Sequence, residues 1–181
     1  MVEDDFLGKY RDGCRDFSQA KMAYVRLSGA DLGPINLAGA TMFAGWLEGV
    51  NLSGANLTLC NLTGAHLQKA VLRGANLSAA NLIGADLREA DVSTSSTCLD
   101  QAALIKADLR SANLSGASLR GTNLTGARLN GANLAGADLE EAIFVDADLS
   151  GADLRGAHIK AARLESACLT GALMPDGKTH N

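Results

Sequence analysis

Three histidines and four cysteines are the residues of this chain best suited to hold a metal or to work as base and nucleophile. Their spacing argues against both roles. His66, His158 and His180 stand far apart, and Cys14, Cys60, Cys98 and Cys168 are scattered with no C-x-x-C pair to suggest zinc or redox work. Neither a P-loop nor a G-x-G-x-x-G opening a helix is present, and the frequent Ser-Gly and Thr-Gly pairs read as corners. Three aromatic residues, Tyr24, Phe43 and Trp46, fall within a short stretch, and Trp46 is the only Trp. Aromatic side chains with Arg nearby anchor protein contacts when they are exposed. What these residues can do depends on the elements that place them.

Those elements are set by a period of five. From Phe17 to Val92 every fifth residue is Leu or a near equivalent, and the pattern resumes in a shifted phase from Leu104 to Met174, with no polar residue among the 31 positions. Five matches neither the 3.6 of a helix nor the 2.0 of a strand. Two residues before each of these positions sits a small side chain, nearly always Ala, with Thr122 the exception in the second run. The residue just before the Leu is often Asp or Asn, and the two after it are mostly Ser, Thr, Arg, Glu or Gly, so these three positions face water. A five-residue unit cannot bury its Leu alone, and stacked neighbours create one continuous core. The chain is therefore a solenoid of short repeats.

The tandem A-[D/N]-L-x-x units, such as Ala55-Asn56-Leu57 and Ala137-Asp138-Leu139, resemble the pentapeptide repeat family over most of the chain, and most closely its cyanobacterial members. The resemblance implies an all-β fold: a right-handed quadrilateral β-helix of about eight coils, four pentapeptides to a coil, with Leu and Ala pointing inward. Residues 1–14 lack the period but carry Phe6, Leu7 and Tyr10 on one helix face before Gly13, and are expected to form a helical cap. The half-solenoids are expected at 15–92 and 99–174. Between them, 93–98 reads as an inserted loop or outward bulge, because Leu99 follows Val92 by seven residues instead of five. Pro175-Asp176-Gly177 should end the repeat, since Pro lacks the donor a further coil needs, and 175–181 is expected to be a C-terminal tail, mobile from Lys178 to Asn181.

The apolar content of 47% is spread evenly, with no run long enough to span a membrane, and the acidic N-terminus lacks the basic region of a signal peptide. A cytoplasmic location with reduced cysteines is expected. With ~4.8 Å between stacked strands, eight coils give a rod roughly 38 Å long, on which residues 20 apart become vertical neighbours. Asn36, Asn56 and Asn76 then form one column and Asn61 and Asn81 another, in which amides are expected to hydrogen-bond up the stack. Arg120, Glu140 and Lys160, like Asp108, Arg128 and Asp148, alternate in sign.

On this map Arg26, Trp46, His66 and Asp86 share a column, with Ser28, Glu48, Gln68 and Arg88 beside it. Tyr24, Arg26, Phe43, Trp46, Glu48, His66 and Arg88 are accordingly the candidate partner-binding residues. The alternative is that Trp46 and Phe43 pack on each other over a thin spot where Gly45 replaces the usual Ala. Ile105, Ile143 and Val145 are candidates for a homodimer contact. Flat faces offer no pocket to orient a catalytic set, His66 and His158 lie on separate coils, and a His66–Asp86 pair would be a surface contact. No enzyme activity, cofactor or metal is expected.

The resemblance also brings in one defined activity: some members imitate duplex DNA, bind DNA gyrase and protect it from quinolones. That mimicry needs long columns of acid. Here the charge is −4, from 16 basic and 20 acidic residues, and each half carries 8 basic and 10 acidic. Direct nucleic-acid binding wants net positive charge and fares no better. The reading is a rigid scaffold for an unidentified protein partner, with gyrase mimicry as the alternative.

Overall fold

The structure, a computed structural model, describes residues 3–181. Met1 and Val2 of the expected cap lie outside the described residues. Helix α1 (Glu3–Arg11) covers the first coil. Its Phe6 is fully buried with its ring 4.5 Å from that of Phe17, the first inward residue of the solenoid. The Tyr10 hydroxyl donates to the Leu32 carbonyl at 3.0 Å, and the Arg15 guanidinium lies 3.9 Å from the centre of the Tyr10 ring. Lys9 and Arg11 stand at the negative end of the helix dipole. Gly13, at φ 93°, reverses the chain, while the Cys14 N–H donates to Lys9 at 2.9 Å.

Beyond the cap the backbone winds in square coils whose sides are too short to be ordinary strands. Each side contributes one parallel bridge to the side beneath it: Asp16 pairs with Asn36, Asn36 with Asn56, and Asn56 with Asn76. Around each bridge the Leu N–H donates to the next coil, as Leu57 does to Asn76 at 2.7 Å, and Cys60 N–H turns back to Leu57 at 3.1 Å to close the corner. That corner needs a left-handed residue two after the Leu, as in a type II turn. Eight such coils stack into a right-handed quadrilateral β-helix.

The interior has room for one large and one small side chain per side. Every Leu from Leu32 to Leu149 at a fifth position is at most 1% exposed, and the Ala positions beside them close the gaps. Exceptions are compensated locally. Val25 occupies a small position, and the residue above it is Gly45, where an added Cβ would fall 3.4 Å from Val25 Cγ1 and 3.0 Å from the Met42 carbonyl oxygen. Gly45 is thus the counterpart of an oversized neighbour. Thr122, also in a small position, donates its hydroxyl to the Leu99 carbonyl at 2.8 Å.

At the phase slip the bridges lengthen from 20 residues to 22, first at Asn76 with Cys98. Thr97 takes the small inward position and Ser93 is buried, so neither turns outward; the two extra residues are taken up between them. Thr97 repairs the ladder. Its hydroxyl accepts from the Gly74 N–H at 2.7 Å and donates to the Ser93 carbonyl at 2.8 Å, bridging a donor and an acceptor that the slip has pulled apart.

Two expectations are corrected. The Asn columns are not amide ladders: Asn56 Oδ1 accepts from the Thr58 N–H at 3.2 Å and its hydroxyl at 2.8 Å, a local turn that competes for the same oxygen, and Asn61 and Asn76 do likewise. Amides reach along a column at Asn36 and Asn51, where a carboxylate stands below, Asp16 at 2.9 Å and Asp31 at 2.8 Å. The C-terminal residues are not loose either. The chain reverses at Gly177, pairs Leu173 with Thr179 antiparallel, and exchanges bonds between His180 and both Gly171 and Ala172 at 2.8 Å. Pro175 halts the coil, yet the edge it leaves on this side attracts the following segment.

Thr97→Val would leave the Gly74 N–H and the Ser93 carbonyl without their shared partner. We expect a loss of ~1–3 kcal/mol of stability in urea unfolding, with Thr97→Ser retaining most of it.

Candidate functional site

The four sides of the coil can be named by their inward residues: the first by Phe17 and Leu37, the second by Met22 and Met42, the third by Leu27 and Leu47, the fourth by Leu32 and Leu52. Phe43 follows Met42 on the second side, and Trp46 precedes Leu47 on the third. Between them the corner Ala44-Gly45 turns the backbone, so their rings point in different directions and each meets an aromatic ring of an adjacent coil instead. Trp46 stacks on His66, 4.3 Å between centroids and 17° between planes. Phe43 takes Tyr24 edge-on at 5.4 Å and 79°. The expected alternative, a Trp46–Phe43 pair over a thin spot, is therefore replaced by two pairs flanking one corner. Tyr24 is 64% exposed, Trp46 49% and Phe43 38%.

Arg26, Trp46, His66 and Asp86 do form one bridged column, and the expected charged column stands beside it. The structure assigns these charges to one another. Arg88 clasps Asp86 through Nε at 2.9 Å and Nη2 at 2.7 Å, and Gln68 Nε2 donates to the same carboxylate at 2.6 Å. Arg110 repeats the clasp on Asp108 at 2.8 and 2.7 Å, with Arg128 reaching that carboxylate at 3.4 Å. Burial pushes the Asp86 and Asp108 carboxyls upward, but the hydrogen bonds and charge of Arg88 and Arg110 outweigh it and hold both below the usual carboxylate value. Arg88 is thus part of the scaffold. Glu48 is exposed at the rim of the aromatic corner.

Sequence reasoning passed over Leu59, 69% exposed at a corner with φ 57°. The signal was there: Asn56-Leu57-Thr58-Leu59 puts a Leu where the pattern supplies Gly or a polar residue. Ile105, Ile143 and Val145 all lie on the second side, half-buried between coils above and below, and do not protrude as separate hydrophobic side chains.

On the first side of the later coils, Asp100, Gln101, Arg120, Gly121 and Glu141 line a shallow depression. Arg120 spans Asp138 at 3.0 Å and Glu140, and Lys160 adds to Glu140 at 3.4 Å, which is the alternating column expected from sequence. Among the described residues no group of three His, Cys, Asp or Glu side chains converges as a metal site would require. Cys60 is buried, and its thiol is pushed up to about 12 by that burial.

The five-residue pattern matches the profile of pentapeptide repeats in eight copies, over residues 35–66, 55–93, 97–136 and 132–174. The chain belongs to the pentapeptide repeat family. Among solved structures it is similar to HetL, a pentapeptide repeat protein involved in heterocyst differentiation regulation from the cyanobacterium Nostoc sp. strain PCC 7120. The two are 30% identical over 99% of this chain and 100% of that one, with a TM-score of 0.58. It is also similar to a trypsin-treated form of QnrB1, a plasmid-mediated fluoroquinolone resistance protein, at 17% identity over 84% of this chain and 81% of that one, TM-score 0.63. At that identity the second likeness is one of fold alone. No curated protein matches the chain in sequence. No helix among the described residues is long and apolar enough to cross a membrane.

The clasped carboxylates give this pentapeptide repeat protein a testable acid limb. Asp86, Asp108, Asp138 and Asp153 all titrate lower in the fold than when unfolded. Their contribution is complete above the unfolded value near pH 4 and is lost as pH falls through the lowered folded values. We expect the melting temperature to be flat from about pH 7 down to about 5 and to fall steeply below ~4. Replacing both Arg88 and Arg110 by Gln should flatten that fall, as followed by circular dichroism.

Proposed function

We propose that this protein is a non-catalytic scaffold whose rigid rod presents one aromatic corner to a partner protein. The observation that carries the reading is Trp46, half exposed and stacked flat on His66 beside the Tyr24–Phe43 pair. A large apolar ring left in water costs solubility, and here each exposed ring is held in place by a ring from an adjacent coil. Little side-chain freedom remains to be lost on binding, which is the condition for a hot spot. Arg26 and Glu48 at the margin supply charge of both signs for orientation, as protein partners use.

The likeness to HetL across both chains supports this class of role, since that protein is involved in regulating differentiation. The dispersed, unpaired cysteines agree with a cytoplasmic setting. Gyrase binding by DNA mimicry is the weaker reading. A duplex mimic needs uncompensated acid in long runs, whereas on the third side Arg88, Arg110 and Arg128 interrupt the acids and neutralise them.

Trp46→Ala should leave the circular dichroism spectrum unchanged and reduce recovery of the partner at least tenfold in a pull-down run in parallel with wild type. Equal recovery of every captured protein would sink the assignment. In a gyrase supercoiling assay, the protein at micromolar concentration is expected neither to inhibit the enzyme nor to protect it from quinolones.

A further inference from the structure

The second side of the solenoid differs from the other three. Its bridged column runs from Lys21 through Thr41, Asn61, Asn81, Ala103, Asn123 and Ile143 to Arg163. The parallel column after the Leu positions begins at Ala23 and ends at Glu165, and backbone bonds link Thr63, Ile83, Ile105, Thr125 and Val145 between them. From the second coil to the seventh, neither column contains a charge. On each of the other sides Asp, Glu, Arg or Lys interrupts the same columns. Two charge-free, partly aliphatic columns can be laid on another face without burying an unpaired ion, with Lys106, Glu141 and Asp146 left at the corners beside them.

We propose that this side is the interface of an antiparallel two-fold dimer, its occupant a second copy of the chain. The columns read almost the same from either end. A two-fold axis across the rod keeps each column opposite itself and sets the first coil against the eighth, the second against the seventh, and so inward. Phe43 then faces Val145, Thr63 faces Thr125, and Ile83 faces Ile105. In the other column Thr41 faces Ile143 and Asn61 faces Asn123. In the column after the Leu positions aliphatic groups meet one another and hydroxyls meet hydroxyls, while the bridged column matches only at Asn61 and Asn123, with Asn81 facing Ala103. At the rim Lys21 falls opposite Arg163, a like-charge pair relieved by Glu165, which lies 3.3 Å from Arg163. A parallel dimer would instead exchange the two columns, setting Asn81 on Ile83 and Thr41 on Phe43.

The area is sufficient. The accessible surface is 7888 Å², so one of four sides offers on the order of 1,500 Å², and covering about half of it reaches the ~800 Å² per partner of a stable interface. The dimer takes Phe43 alone from the partner-binding corner. Trp46 stands on the third side and remains outside the dimer, so Trp46→Ala is expected to leave the dimer intact.

Light scattering after gel filtration should give twice the chain mass at micromolar concentration. Ile105→Arg should weaken association at least tenfold, whereas Leu164→Arg, on the partly exposed terminal coil, should not. The register is tested by cross-linking in a background with Cys14, Cys98 and Cys168 replaced by Ser. The double variant Thr63→Cys, Thr125→Cys should join two chains through a short bis-maleimide reaching ~10 Å, the spacing of packed sheets. Neither single variant should, because like positions lie three coils apart along the rod. A monomer at all concentrations would overturn the proposal. So would a dimer broken by Leu164→Arg but not by Ile105→Arg, or equal cross-linking of the single and double variants.

Discussion

Everything in this protein depends on the small cross-section of its coil. Four sides of five residues enclose space for one Leu and one Ala each, and the vertical hydrogen bonds hold every side directly over the one before. Volume and register are therefore coupled: Val25 in a small position has Gly45 over it, while Ile35 and Val50 are taken in with Ala in the coil above. A polar side chain may enter only if it hydrogen-bonds backbone that is already there, as Thr122 does with Leu99. The same coupling makes the two-residue slip tolerable. Thr97 occupies the inward position and its hydroxyl spans the gap between Gly74 and Ser93, so the core passes through the insertion without a break.

The solenoid was legible because a period of five fits neither helix nor strand, and its square coil came from the resemblance to pentapeptide repeats; the inward residues and the 22-residue step followed from counting, and the cap from the spacing of Phe6, Leu7 and Tyr10. Other features escaped for reasons that are local. Asn56 was read as a member of a ladder, but its oxygen finds the Thr58 N–H two residues on, and a short-range partner wins over one in another coil. Trp46 was placed correctly on the surface and given the wrong neighbour, because counting along the chain does not show how sharply Ala44-Gly45 turns. The terminal segment looked free since Pro175 stops the repeat. What the pattern does not display is the open edge that draws Thr179 back to Leu173.

Charge is distributed to serve the ladder first. On the third side, Arg88 and Arg110 each reach back two residues to grip the Asp beside them, while Asp108 also receives Arg128 from the coil above. Such pairs contribute little individually at a surface. Linked across three coils, they fix long side chains that would otherwise sweep the face, and they leave that face nearly neutral. A side armoured in this way is poorly suited to recognise either a polyanion or a polycation. The residues available for recognition are those the ladder does not engage.

That condition selects the second side and its two corners. There the outward positions carry Thr, Asn, Ala, Ile, Val and Phe, uncharged residues of which the Asn oxygens bond locally to the Thr two residues on, as at Asn61 and Asn123. In a β-helix these positions could have carried Asp and Arg at no cost to the core, as the neighbouring sides demonstrate. These uncharged columns do nothing for the interior, and they are the residues left over for the proposed contacts. The corner with Tyr24 and Trp46 marks one edge of that face, and Leu59 lies at the other. Because the coils cannot shear without breaking the vertical bonds, groups at both edges keep fixed spacing along the rod. A contact formed at one level thereby aligns all the others, and rigidity becomes the means by which a weakly decorated surface acquires specificity.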